Sequence, residues 1–175
     1  MSVWQPNLNW ITDLIAVGGS FPAEQAEALA REHRIAAVID LRGEAVPDPV
    51  VMRSHGLSLL HLPTEDMCGV ETPDLEYGIR FASEFLDAGR RVLVHCEWGI
   101  GRSATLALCL LVHRGMAPLE ALALLKKQRP QISPSPPQFE CWRAWLDSYR
   151  FTRDVDWSLP SFDEFAALVY RHREP

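Results

Sequence analysis

The chain has 175 residues, 47% hydrophobic and 23% charged, the composition of one globular domain rather than a disordered or multidomain chain. Its formal net charge of −6 has the wrong sign for a broad phosphate-backbone binder, so no nucleic acid partner is expected. The longest strongly apolar run, Ala104–Val112, is far short of the roughly 20 residues of a spanning helix. No secretory leader pattern is visible and the four cysteines lack CxxC spacing, so a cytoplasmic protein with no disulfide framework and no membrane partner is expected.

In chain order, Leu14 to Val17 before Gly18-Gly19 reads as a short strand and turn. Pro22 to Glu32 reads as a helix with proline in its first turn. Ile35 to Leu41 is a β-branched apolar run suited to a buried strand, closed by Arg42-Gly43-Glu44, and Leu57 to Leu62 is a second, stopped by Pro63. Thr72-Pro73-Asp74 opens a helix that Thr72 is expected to cap. Leu75, Ile79, Ala82 and Leu86 then share one face. Arg91 to His95 is a third strand, and Ser103 to Arg114, apolar nearly all round, is a helix buried in the core. A further helix is expected over Pro118–Gln128, then a rigid loop at Pro134, Pro136 and Pro137, then a helix carrying Phe139, Trp142, Leu146 and Tyr149. Strands alternating with helices predict an α/β domain, a central mostly parallel sheet flanked by helices. The domain is expected over residues 1–152, with a helical extension over 153–175 opened by the capping pattern Ser161-Phe162-Asp163-Glu164.

The chemistry lies between the third strand and its helix, in His95-Cys96-Glu97-Trp98-Gly99-Ile100-Gly101-Arg102-Ser103. A strand-to-helix turn aims successive backbone N–H groups at one point, and the helix N-terminus adds positive potential. Residues 97–102 would therefore cradle phosphate oxygens, with Gly99 and Gly101 permitting unusual dihedrals and close approach. The same N–H groups would stabilise a thiolate at Cys96, the nucleophile. Arg102 offers a planar fork for two phosphate oxygens, Ser103 a hydrogen bond to the departing sulfur, and His95 bonds to the loop backbone.

These residues resemble the signature of the protein tyrosine phosphatase superfamily, His-Cys-x5-Arg-Ser/Thr, and the chain is most similar to the small dual-specificity phosphatases. The resemblance covers roughly residues 10 to 150 and includes Val38-Ile39-Asp40-Leu41 and Arg129-Pro130 before the proline-rich loop. It implies a thiolate nucleophile, the signature arginine and an aspartic acid on a separate loop, with no metal and no cofactor. By position the general acid falls on Asp66, with Glu65 and Asp74 as alternatives. One carboxyl can protonate the leaving oxygen and later deprotonate water. Gln138 lies near the place of a water-positioning glutamine in some members, though a surface glutamine at a helix start is the simpler reading. The implied substrates are phosphotyrosine and phosphoserine or phosphothreonine, in a phosphoprotein or a small phosphomonoester. Glu97, at the rim of the cradle, is expected to repel polyphosphorylated inositides, and Trp98 to wall an aromatic substrate or pack the acid loop. The alternatives are a non-protein substrate (an inositol phosphate or an RNA 5′-triphosphate) and a phosphoprotein-binding module without turnover. Cys68, two residues after Asp66, is a candidate redox partner for Cys96. Arg42 and Glu44 either buttress the loop or form a surface ion pair.

Overall fold

A computed structural model describes residues 4–170 of the chain. Its centre is a five-stranded sheet built from β1 (Leu8–Trp10), β2 (Ile15–Gly18), β3 (Ile35–Arg42), β4 (Ser58–Thr64) and β5 (Arg91–His95), in the order β1-β2-β5-β3-β4. Only β1 runs antiparallel, to β2; the other pairs are parallel. The helices are α1 (Ala26–Arg31), α2 (Pro49–Ser54), α3 (Thr72–Asp87), α4 (Arg102–His113), α5 (Pro118–Gln128), α6 (Pro136–Phe151) and α7 (Phe162–Val169), with a 3-10 turn at Ala23–Gln25 before α1.

Alternation along the central strands divides the core. Ala37, Ile39 and Leu41 of β3 and Val92 and Val94 of β5 face a large cluster with residues from α3 to α7. Val38 and Leu93 face a smaller one with Ala26 and Leu29 of α1 and Met52 of α2. Helix α4 runs through the large cluster, and every residue from Arg102 to Val112 is buried. That explains why it is apolar on all sides. β5 is the middle strand, so the sheet delivers Cys96 to the middle of its C-terminal edge, where parallel sheets gather ligands.

Several elements depart from expectation. β4 continues through Pro63 to Thr64; it is an edge strand, where a missing N–H leaves no partner unpaired. Pro136 and Pro137 open α6 instead of forming a loop. They fill its first turn, where no N–H bond is needed, and Ser135 with Gln138 forms a capping box. Thr72 lies inside α3, whose N-cap is Glu71. β1 and α2 were not anticipated; α2 carries the side-chain cap of Asp48 on the backbone of Val50 and Val51.

α7 begins with the capping box of Ser161 and Glu164. Its Phe165 and Val169 are buried in the large cluster, with the Phe165 ring 4.8 Å from that of Phe139 on α6. Residues 1–3 and 171–175, the last including His172, lie outside the described residues. No helix among the described residues is long and apolar enough to cross a membrane.

Candidate active site

The chain leaves β5 at His95, turns through residues 96–101 and enters α4 at Arg102. Gly99 holds φ +68°, and a Cβ there would fall 2.4 Å from the carbonyl of Gly18; only glycine fits both demands. Gly101 is needed for space, because a Cβ would meet Gln138 Oε1 at 2.3 Å. The Cys96 thiol is buried. Ser103 Oγ lies 3.3 Å from Sγ, and the Gly99 N–H donates to Sγ at 3.3 Å. Burial alone would raise the thiol's pKa. The hydroxyl and backbone N–H of Ser103, with the N–H groups of Gly99 and Ile100, outweigh it and hold the pKa below the usual thiol range.

Arg102 is buried and held on one side. Nη1 donates to Glu44 Oε2 at 2.7 Å and to the Thr64 carbonyl at 2.9 Å; Nη2 donates to Glu44 Oε1 at 2.8 Å. Asp66 Oδ1 stands 3.2 Å from Nη2. The Arg102 hydrogen bonds bring the Glu44 carboxyl down to about 2. Among the described residues Arg102 Nε is buried without an acceptor, and such a donor is costly unless a ligand oxygen takes it. Glu44 therefore grips the signature arginine and is no surface ion pair. Asp66 is 60% exposed on the turn after β4. Of the two alternatives, Asp74 lies in the first turn of α3 and Glu65 is exposed.

Further groups fix the loop from behind. His95 is buried, its Nδ1 3.2 Å from the Cys96 carbonyl oxygen and its Nε2 3.6 Å from Asp40 Oδ2. Arg42 bonds Asp40 through Nη2 at 2.8 Å and reaches Glu97 Oε2 through Nη1 at 3.5 Å, while Ser20 Oγ lies 3.1 Å from Glu97 Oε1. The Glu97 carboxylate, read from the sequence as a free charge at the rim, is thus tied to Arg42 and Ser20. Arg129 Nε donates to the Gly99 carbonyl at 2.6 Å and Nη2 to that of Trp98 at 3.0 Å.

A family model, the catalytic domain of dual specificity phosphatases, matches residues 19–147. The chain belongs to this family. A rat protein named phosphatidylglycerophosphatase and protein-tyrosine phosphatase 1 is 39% identical over 87 residues, 49% of this chain and 45% of that protein. The fruit-fly dual specificity protein phosphatase Mpk3 is 30% identical over 132 residues, 71% of this chain and 30% of that protein. The chain's matches thus span less than half the length of these curated relatives. The crystal structure of Tk-PTP in its active form superposes with a TM-score of 0.74 at 25% identity, covering 82% of this chain and 99% of that one. That of PTPMT1 in complex with PI(5)P gives 0.77 at 22% identity, covering 83% and 97%, a likeness of fold.

In this dual specificity phosphatase domain the cradle opens into a pocket of about 120 Å³ lined by Asp66, Met67, Cys96, Trp98, Arg102 and Gln138, among others. Trp98 is 64% and Met67 62% exposed, so Trp98 does not pack beneath the acid loop. Gln138 is buried and its Oε1 accepts from the Ser135 N–H at 2.9 Å, which corrects the surface reading. Cys68 is exposed and does not line the pocket. Sequence reasoning missed Asn7, Asn9, Ser20 and Ser135. Asn7 and Asn9 lie two residues apart, a spacing that shares one face in an extended segment, which was the signal available for that pair. Ser135 preceded Gln138 at capping-box spacing.

Proposed function

We propose that this chain hydrolyses a phosphomonoester through Cys96, and that its substrate is a non-protein phosphate of the glycerophospholipid type. In the first step the Cys96 thiolate attacks phosphorus; the S–P bond forms, the ester P–O bond breaks, and Asp66 gives its proton to the leaving oxygen. In the second step water attacks phosphorus, Asp66 takes its proton, and the S–P bond breaks. The Ser103 hydroxyl, 3.3 Å from Sγ, hydrogen-bonds the departing thiolate. The backbone of Glu97 to Arg102 and the free Arg102 Nε–H hold the phosphoryl oxygens. No metal or cofactor enters the scheme.

The observation that carries the substrate class is the shape of the mouth. At about 120 Å³ the pocket is well below the roughly 300–1,000 Å³ of sites that engulf a drug-sized ligand. It accepts a phosphate and little of its alcohol, and the rest of the substrate meets exposed Trp98 and Met67. A flexible alkyl phosphomonoester with an apolar tail suits that rim. The contacts of Glu97 with Arg42 and Ser20 weaken the electrostatic objection to an anionic lipid. The rat relative's name includes phosphatidylglycerophosphatase, which supports this class, alongside protein-tyrosine phosphatase, which supports the second reading. This reading departs from the expectations of a phosphoprotein substrate and of no membrane partner. Phosphotyrosine is the second reading, favoured by the exposed Trp98 indole against which an aryl group can stack.

The test is kcat/KM for phosphatidylglycerophosphate in detergent micelles against phosphotyrosine, phosphoserine and phosphothreonine peptides and phosphoinositides, with chelator present and Cys96→Ser as control. Preference of at least tenfold for the lipid over every peptide is expected. A peptide turned over faster than the lipid assigns the chain to protein dephosphorylation. Equal residual turnover by Cys96→Ser would remove the cysteine mechanism.

A further inference from the structure

Arg129 follows the last turn of α5 and is fully buried. Besides the Gly99 and Trp98 carbonyls, it donates through Nη1 to Asn9 Oδ1 at 2.7 Å and through Nη2 to Asn7 Oδ1 at 2.9 Å. All four acceptors are neutral. Among the described residues it makes no ion pair, although buried charges are ordinarily paired. Burial lowers its pKa and the Cys96 thiolate pulls it back up; an arginine stays protonated throughout.

The surroundings make the missing carboxylate significant. The charged and titratable groups around Cys96 are Asp40 and Arg42 on β3, Glu44 after it, Asp66 after β4, His95 and Glu97 beside the cysteine, Arg102 on α4, and Arg129. Arg42 is matched by Asp40 and Glu97, and Arg102 by Glu44 and Asp66. Burial pushes His95 toward its neutral form. Two arginines thus face four carboxylates, in a site that must hold a thiolate and then a phosphate. Gly99 lies between Arg129 and the sulfur, giving its carbonyl to one and its N–H to the other.

We propose that Arg129 is a positioning residue that also acts through its charge. It is an unneutralised buried cation beneath the phosphate loop that favours the Cys96 thiolate, anchored by Asn7 and Asn9 because amides orient it without cancelling its charge. The inference rests on Cys96 being the reacting thiol and is independent of the substrate.

The experiment measures the rate of iodoacetamide alkylation against pH, quantified at the Cys96 peptide by mass spectrometry, for wild type, Asn9→Asp, Asn7→Asp and Arg129→Lys. Each aspartate keeps the acceptor oxygen and adds a negative charge on the guanidinium. Both should move the Cys96 midpoint upward by about 0.5–1 pH unit. Arg129→Lys keeps the charge but cannot span four acceptors. Its midpoint should stay near wild type while kcat on an aryl phosphate falls about tenfold or more. A purely structural role predicts unmoved midpoints in the aspartate variants, since their hydrogen bonds persist. Unmoved midpoints in folded Asn9→Asp and Asn7→Asp, checked by circular dichroism, overturn the proposal; if one variant does not fold, the other decides. Because alkylation needs no substrate, a failed lipid assay and a failed charge assay remain separate results.

Discussion

Glu44 offers the most direct quantitative test of the site. It holds the Arg102 fork by two short bonds and its carboxyl lies near pH 2, against the ordinary 4.5. That difference, about 2.5 pH units at about 1.4 kcal/mol each, comes to about 3.5 kcal/mol before screening. The Glu44 side chain is 43% exposed, and solvent-screened pairs deliver far less, so about 1–1.5 kcal/mol is the expected worth. The folded-state value is depressed. The contribution is therefore complete above about pH 4.5 and is lost as pH falls through about 2. Glu44→Gln should lower the unfolding free energy by that amount at pH 7, a drop in Tm of about 3–5 °C for a domain this size. The gap between wild type and variant, followed by urea unfolding from pH 7 downward, should close as the carboxylate is protonated. Turnover should fall about tenfold or more, because Arg102 loses its main anchor. A gap of constant size across this range, or none at pH 7, would refute the reasoning, since neither fits a carboxylate whose ionisation is coupled to a buried guanidinium.

Two further outcomes follow from other parts of the molecule. Asp66→Asn should lower kcat about 10²-fold on an alkyl phosphate and much less on p-nitrophenyl phosphate, whose leaving group needs no proton; steady-state kinetics on the two substrates checks this. Phe165→Ala removes a ring packed on Phe139 and Trp142 and should cost about 3–5 kcal/mol in urea unfolding, because α7 completes the core.

The legible parts of the fold were those where one physical demand dominates. β3 and β5 are buried on both faces, and their continuous apolar runs carry the pattern of inner parallel strands. The Cys96–Ser103 loop was readable because its chemistry needs consecutive residues. Pro63 misled because its meaning depends on which strand is at the edge, a fact of the assembled sheet. Pro136 and Pro137 misled for the reverse reason: the Ser135–Gln138 capping box resolved them locally, and three prolines close together obscured it. α2 spans only six residues, too few for a periodic signal. Glu97 was read as a free rim charge because nothing in its neighbourhood announces Ser20 or Arg42.

The site's support is least redundant at the sheet's outer edge. Its groups come from segments that only the sheet's C-terminal edge brings together, and Arg129 reaches back across 120 and 122 residues to Asn9 and Asn7. Those two asparagines flank and occupy β1, which pairs with β2 through three residues and is only half-buried. Short edge elements with few buried apolar contacts open at a free energy well below that of global unfolding. β3, β5 and α4, which carry the cysteine and the signature arginine, are the most deeply buried parts of the domain. Loss of β1 would free Arg129 on one side while leaving Cys96, Ser103 and Arg102 in place. The rigid core therefore supplies the reacting groups, and a marginal strand at the sheet's edge supplies the restraint on the charge beneath them.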